Sequence, residues 1–175
     1  MSRSEPVRSN TVRVVNIRET TADDVPAAVA LNNSSVPALN EVGADEMERL
    51  FGMAALALTA EVDGAFAGFC ITFPPGVDYA SLNYGWFSRK YDDFVYLDRI
   101  AVDPAYRRLG IGKAFYDQVI ERFTGTYPHL LCEVNVRPRN EASLLFHHSI
   151  GFREVGQQET DGGNKTVSLL ALPLK

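Results

Sequence analysis

Two rhythms of apolar and polar residues run along the chain, one with the period of a strand and one with that of a helix. Residues 1–10 are polar and expected to fray, and the fold is expected to start near Thr11, where TVRVVNIR alternates as a first strand does. Thr20-Thr21-Ala22-Asp23-Asp24 then offers polar caps and acidic first-turn residues to a helix. That helix runs through Val25, Val29 and Leu31, tolerates Pro26 in its first turn and is expected to end at Asn32-Asn33. From Asp45 a second helical pattern places Met47, Leu50, Phe51, Ala54 and Leu58 on one stripe, although a strand must begin soon after. ALALTAEV and AFAGFCITF, joined by Asp63-Gly64, predict an antiparallel hairpin. Pro74 to Asp93 reads as a loop far longer than the usual 4–6 or so residues. Its Tyr79, Tyr84, Trp86, Phe87 and Tyr91 argue against disorder and for a functional lid.

FVYLDRIAV predicts the next strand, with Tyr96, Asp98, Ile100 and Val102 alternating onto one face. Asp103-Pro104 turns the chain, and from about Gly110 a helix carries Ile111, Phe115, Val119 and Phe123 at regular four-residue spacing. HLLCEVNV is apolar enough for a strand covered on both faces. After Arg137-Pro138-Arg139-Asn140 a helix is predicted with Ala142, Leu145, Phe146 and Ile150 inward, ended by Gly151. FREVGQQ and TVSLLALPL, separated by Asp161-Gly162-Gly163-Asn164, close the pattern as a hairpin. The order is strand, two helices, three strands, helix, strand, helix, two strands, which is an α/β sheet protein with helices on both faces. No repeat or linker interrupts it, so residues 11–175 read as a single domain.

Composition narrows the function classes. A chain of 175 residues, 46% hydrophobic and 22% charged, can bury a full core. A net charge of -5 lacks the electrostatic footprint of a nucleic-acid binder. No stretch approaches the roughly 20 apolar residues of a membrane span, and the N-terminus lacks the apolar run of a secretory signal, so a cytoplasmic protein is expected. Cys70 and Cys132 sit in apolar runs and read as core residues, with neither a disulfide framework nor a metal site expected.

The candidate chemistry lies between a strand and a helix, at Arg107-Arg108-Leu109-Gly110-Ile111-Gly112-Lys113. A diphosphate needs several converging N–H groups, which the first turn of a helix supplies. Gly110 and Gly112 let an anion approach the main chain, while Arg107, Arg108 and Lys113 add local positive charge. The P-loop pattern would need a glycine at Arg107 and a hydroxyl at Ala114, and the dinucleotide and kinase loops would need a glycine at Phe115. What remains is [RQ]-x-x-G-x-[GA] after a strand and a D-P turn. VYLDRIAVDPAYRRLGIGKAFYDQVI resembles the central motif of the GNAT superfamily of acetyl-CoA-dependent N-acetyltransferases. VNVRPRNEASLLFHHSIGF resembles the strand, helix and Gly-Phe ending that follow it there.

The resemblance implies a single mixed, largely antiparallel twisted sheet of about seven strands with about four helices on its faces. It implies acetyl-CoA (coenzyme A) as co-substrate, a primary amine of a small molecule or peptide as acceptor, and direct attack without a covalent enzyme intermediate. Ile100 and Val102, flanking Ala101, would pair with the pantetheine arm. The amides from Leu109 through Gly110, Ile111 and Gly112 to Lys113, at the head of the helix that Ala114 continues, would hold the pyrophosphate. Asn140, with Ser143 and Phe146 in the helix that follows it, would lie beside the coenzyme. No metal is implied, and exposed strand edges leave room for a homodimer.

The catalytic residues depart from the family pattern. Four residues before Gly151-Phe152, where the family carries a tyrosine acid, stands His147, which is either an acid or a hydrogen-bonded structural residue. Acetylating a charged amine requires a base. Asp98, unusual in a central strand, is either that base or a partner for Arg99. Tyr96 stands where some members carry a catalytic glutamate. A backbone N–H of this strand is the expected oxyanion donor. Tyr84, Trp86 and Phe87 either line an acceptor pocket for a cationic amine or pin the loop to its own sheet. The segment from Asn32 to Glu41, with Asn33, would be the opposite wall. A non-catalytic acyl-CoA binding or sensing domain is the alternative reading.

Overall fold

In the computed structural model, which describes residues 12–36 and 38–175, the expected rhythms become seven strands and five α-helices. The expected tail at 1–10 and the start at Thr11 lie outside the described residues. The elements are β1 (Val15–Glu19), α1 (Val25–Ser34), α2 (Ala44–Met53), β2 (Leu56–Val62), β3 (Ala65–Phe73), α3 (Leu82–Lys90), β4 (Val95–Val102), α4 (Ile111–Phe123), β5 (His129–Arg137), α5 (Glu141–Ser149), β6 (Arg153–Thr160) and β7 (Lys165–Pro173). One sheet holds all the strands in the order β1-β2-β3-β4-β5-β7-β6. Only β4 and β5 run parallel, so the sheet is mixed and largely antiparallel.

Each face of the sheet has its own core, because alternate strand residues point to opposite sides. Phe115, Tyr116 and Val119 of α4 and Leu144 of α5 pack with Leu58, Cys70, Leu97 and Cys132 on one face. Ala28 of α1, Met47 and Leu50 of α2, and Tyr84 and Phe87 of α3 pack with Phe69, Phe73, Tyr96 and Leu131 on the other. The Asp63-Gly64 pair makes the expected tight hairpin, with φ of 52° and 82°, the two positive values that a primed turn demands.

Four expectations need correction. The stretch read as one long loop contains α3, capped by Ser81, whose Oγ accepts from the Tyr84 amide at 3.2 Å. Its nine residues include Gly85 and three aromatics, poor helix formers, and it is packing of Tyr84 and Phe87 into the core that holds the helix. Leu58 belongs to β2 rather than to the stripe of α2, which ends at Met53. On α5, Leu145 is 62% exposed, and Leu144 and His147 take the inward positions instead. The face expected for β4 is broken by a bulge: Arg99 pairs with Ile71 and Leu97 with Thr72, leaving Asp98 as the extra residue. Ile100 and Val102 therefore join the core beneath α4, while Tyr96 points to the opposite face.

Candidate active site

The parallel pair opens in the middle of the sheet. β4 and β5 are matched at Val95↔Leu130 and Tyr96↔Leu131, after which each continues only with its outer neighbour, β3 or β7. Bulges at Asp98 on β4 and between Asn135 and Arg137 on β5 bend the strands where they separate. A cleft of about 900 Å³ occupies this opening. It is lined by Tyr116, Asn140, Ser143 and His147 on one side of the sheet, and by the α1–α2 connection and residues Tyr79 to Asn83 on the other.

The loop before α4 forms one approach to this cleft. Asp103 caps a single helical turn, Pro104–Tyr106, by accepting from the Ala105 amide at 2.8 Å. Arg108 and Gly110 then take left-handed backbone angles, φ 66° and 76°, and α4 starts at Ile111. The first helical bond runs from the Ala114 amide to Gly110, at 2.9 Å, so the amides of Ile111, Gly112 and Lys113 fall outside the helical ladder. Arg107 reaches the cleft lining, as do Ile100, Ala101, Val102, Asn140 and Ser143. Arg108, Leu109, Gly110, Ile111, Gly112, Lys113 and Ala114 continue from Arg107 beyond the enclosed volume. Ala101 and Ile111 are buried in opposite cores, so only their main chains are on offer. Phe146 does not line the cleft; it packs against the core beside Gly112, whose missing Cβ would lie 3.9 Å from its ring. Asn140 caps α5, its Oδ1 accepting from the Ser143 amide at 3.2 Å.

Carboxylates gather on the opposite face. Glu133 of β5 alternates with Cys132 and Val134 and so shares the face of Leu131 and Tyr96. The Tyr96 hydroxyl donates to both of its oxygens at 2.8 Å. Burial and the nearby Asp98 charge push Glu133 up to about 8, against the opposing pull of hydrogen bonds from Tyr96 and Asn83 and of the Arg99 charge. Tyr96 is pushed well above the ordinary tyrosine value by burial and by the Glu133 charge, so it remains a donor. Asp98 is committed elsewhere: Arg99 Nε donates to it at 2.7 Å, and the Tyr79 hydroxyl lies close enough to feel its charge. Arg99 also donates to Asn32 Oδ1 at 2.9 Å, which ties β4 to α1.

His147 is 5% exposed, with both ring nitrogens engaged. Nδ1 lies 2.7 Å from the Ser143 carbonyl, which can only accept, and Nε2 lies 2.6 Å from the Tyr116 hydroxyl. The ring therefore carries its proton on Nδ1 and accepts from Tyr116. Burial lowers its proton affinity and keeps it neutral. It has no free proton to hand to a neighbour.

Of the two readings left open for the aromatics after β3, the placement follows the second. Tyr84 and Phe87 are buried beneath α3, and Trp86 packs over Gly156 of β6, so the three aromatics pin α3 to the sheet and do not line the cleft. Asn33 braces the α1–α2 connection, exchanging hydrogen bonds with the Val42 main chain at 2.9 and 3.0 Å. The segment expected as the opposite wall does line the cleft, through Ser34, Ser35 and residues 38–42, although Asn33 itself does not. Glu133 and Asn83 were missed in the sequence, although a lone carboxylate inside HLLCEVNV carried the same signal that singled out Asp98.

The site is thus an open mixed sheet with one parted parallel pair, a helix start with unpaired amides on one side and carboxylates on the other. Residues 28–152 match the Acetyltransferase (GNAT) family, and the chain belongs to that family. In sequence it is 32% identical over 82 residues to the [ribosomal protein bS18]-alanine N-acetyltransferase of Escherichia coli (strain K12), a stretch covering 45% of this chain and 55% of that relative. The chain thus spans about half the length of the curated relatives it matches. In fold it is similar to the crystal structure of the ribosomal-protein-S18-alanine N-acetyltransferase from Escherichia coli, with a TM-score of 0.71 and 23% identity, over 93% of this chain and 95% of that one. It is also similar to yncA from Salmonella typhimurium, solved with its cofactor acetyl-CoA, with a TM-score of 0.68 and 20% identity, over 93% of this chain and 95% of that one. Among the described residues no helix is long and apolar enough to cross a membrane.

Proposed function

We propose that this chain transfers the acetyl group of acetyl-CoA to a primary amine of a small molecule or peptide by direct attack, with Glu133 as the base. The observation that carries this reading is the position of Glu133, bonded to Tyr96 where β4 and β5 part, across the cleft from the helix start of α4. The amides of Leu109 to Lys113 and the side chain of Arg107 suit a pyrophosphate. The edge of β4 beyond Tyr96, at Ile100 and Val102, has main-chain groups that β5 does not pair and that an amide-bearing arm can use. Bound acetyl-CoA supplies an acyl carbon activated by a thiol leaving group.

The proton accounting closes on the residues present. Ionised Glu133 takes one proton from the ammonium form of the acceptor, which frees the nitrogen lone pair. The nitrogen then forms its bond to the acyl carbon as the carbon–sulfur bond breaks. Its second proton goes to the departing sulfur, and Glu133 later returns its own to solvent. His147 is not needed as an acid. Cys132 and Cys70 are thiols held far from ionisation by burial, which favours direct attack over a cysteine intermediate. A carboxyl near pH 8 matches an α-amino group of pKa about 7.7–8.0, whereas a lysine near 10.4 would give up its proton uphill by about 3 kcal/mol. A peptide N-terminus is therefore the best-matched acceptor. The relative named above acts on an alanine of a ribosomal protein, so an alanyl peptide is the first to try. A cytoplasmic location, and a homodimer through one of the outer strands β1 and β6, complete the reading.

The test is thiol release from acetyl-CoA with a panel of amines: peptides with a free N-terminus, the same peptides blocked there but carrying lysine, and small diamines. Amine-dependent thiol release with an acetylated product is expected, strongest for free N-termini. Thermal stabilisation by acetyl-CoA with no turnover on any amine would instead establish the binding-domain alternative.

A further inference from the structure

Glu133 is reached by a chain of amides that starts on the far edge of the sheet. Trp86 seats α3 on β6, where Gly156 leaves room for it: a Cβ at Gly156 would come within 2.7 Å of the ring. Two residues further along β6, Gln158 Nε2 donates to Asn83 Oδ1 at 2.8 Å. An amide whose oxygen is taken by a donor has its NH2 group to offer elsewhere, and Asn83 lines the same cleft as Glu133, whose charged form its amide favours. Tyr96 donates to the carboxylate from β4, with the Asn83 amide on the cleft side of it, and the remaining lone pairs are left for the cleft.

We infer that Asn83, held the right way round by Gln158, is a positioning residue of the reaction, orienting the Glu133 carboxylate towards the acceptor and stabilising its charged form. The inference rests on the reading of Glu133 as the base. Other charged and titratable groups act on Glu133 too. Asp98 opposes its ionisation and Arg99 favours it from β4, and Tyr79 lies within the field of Asp98. Cys132 and Tyr116 feel its charge from the other face of the sheet. Asp161 and Lys165, at the β6–β7 turn, line the same cleft. None of these changes when Asn83 or Gln158 is replaced, so a displacement of the Glu133 titration in such variants reports the amide chain alone. Asn83 and Gln158 are both half-buried and outside the two cores, Asn83 on the cleft wall.

The sign is fixed by the hydrogen bond. A donor to the carboxylate favours the ionised form, so its loss moves the titration to higher pH. The test is the side-chain 13C titration of Glu133, assigned by its disappearance in Glu133→Gln, together with the pH profile of kcat/KM for an alanyl peptide. Asn83→Ala is expected to move both by about 0.5–1 pH unit upward, a roughly three- to tenfold loss at pH 7 that is recovered at alkaline pH. Gln158→Leu is expected to move both the same way by less, because the Asn83 amide is then free to turn over. An unmoved Glu133 titration in both variants, or a uniform loss of rate with no displacement, overturns the role of Asn83 and leaves Glu133 untouched. A Glu133→Gln variant that keeps the wild-type rate and acidic limb overturns the base itself, and this inference with it.

Discussion

The two halves of the cleft are made of different material. The half beside α4 is main chain: Arg107 reaches the lining, and one contiguous run from it to Lys113 leads out along the approach, its amides directed by two left-handed residues. The half beneath α3 is side chain: Glu133 from β5, Tyr96 from β4, Asn83 from α3 and Gln158 from β6, brought together by the tertiary fold. A main-chain site depends on backbone shape and is nearly indifferent to which side chains decorate it. A side-chain site is the reverse, since deleting one functional group removes it. Substitutions on the two halves should therefore fail in opposite ways, in kcat on one and in the KM for acetyl-CoA on the other.

The largest effect is expected at Glu133. Glu133→Gln keeps the shape and an acceptor for Tyr96 but cannot take a proton. kcat is expected to fall about 100- to 10,000-fold, the usual weight of general base catalysis, with the KM for acetyl-CoA within about twofold of wild type. Steady-state kinetics with both substrates varied decides it. A fall in acetyl-CoA affinity equal to the fall in rate would break the division between the halves.

Gly110→Val attacks the other half. A Cβ at Gly110 would meet nothing within 4 Å, so the cost is conformational and not a clash. A β-branched residue at φ 76° is strained by about 1–3 kcal/mol, which the loop relieves by changing shape and scattering the amides of Ile111 to Lys113. That predicts a roughly 5- to 150-fold rise in the KM for acetyl-CoA, with kcat at saturation within a few-fold of wild type. A thermal shift assay would show the matching loss of stabilisation by acetyl-CoA. Unchanged acetyl-CoA affinity would mean that the left-handed turn does not shape the donor site.

The same contrast explains what could be read from the sequence. The strand, D-P turn and glycine loop before α4 are legible because local spacing alone builds them, and Asp103, Arg108 and Gly110 act within a few residues of one another. The order of strands and helices along the chain, with helices on both faces, follows from alternation and i, i+4 stripes, whereas the mixed, largely antiparallel sheet is implied by the family resemblance. The acceptor half is different, because each member is explained only by a partner far along the chain. Glu133 answers Tyr96, 37 residues away, and Gln158 answers Asn83, 75 residues away. α3 is invisible to helix propensity because the aromatics that stabilise it act by burial against the sheet. The bulge at Asp98 is set by pairing with β3, which no pattern within FVYLDRIAV announces, so Asp98 was given the face of Ile100 when its true neighbours are Arg99 and Tyr79. His147, read as either an acid or a hydrogen-bonded structural residue, fills an inward position of α5, where Tyr116 of α4 meets its ring.

The smallest effect sharpens the comparison most, because it concerns a positive charge where charge looks decisive. Lys113 stands in the first turn of α4, and its side chain is 65% exposed. Its ammonium already pairs with Asp117 one turn on, in a solvated ion pair of the kind that contributes little. If the donor half works through its main chain, the Lys113 amide matters and its ammonium hardly does. Lys113→Met keeps the amide and the helix, and is expected to raise the KM for acetyl-CoA by only about two- to threefold, an effect that fades as salt screens the remaining charges. Measuring that KM from low to physiological ionic strength separates the cases. A tenfold or larger loss that persists at physiological salt would show that the pyrophosphate is held by this side chain, and that the donor half is built as the acceptor half is.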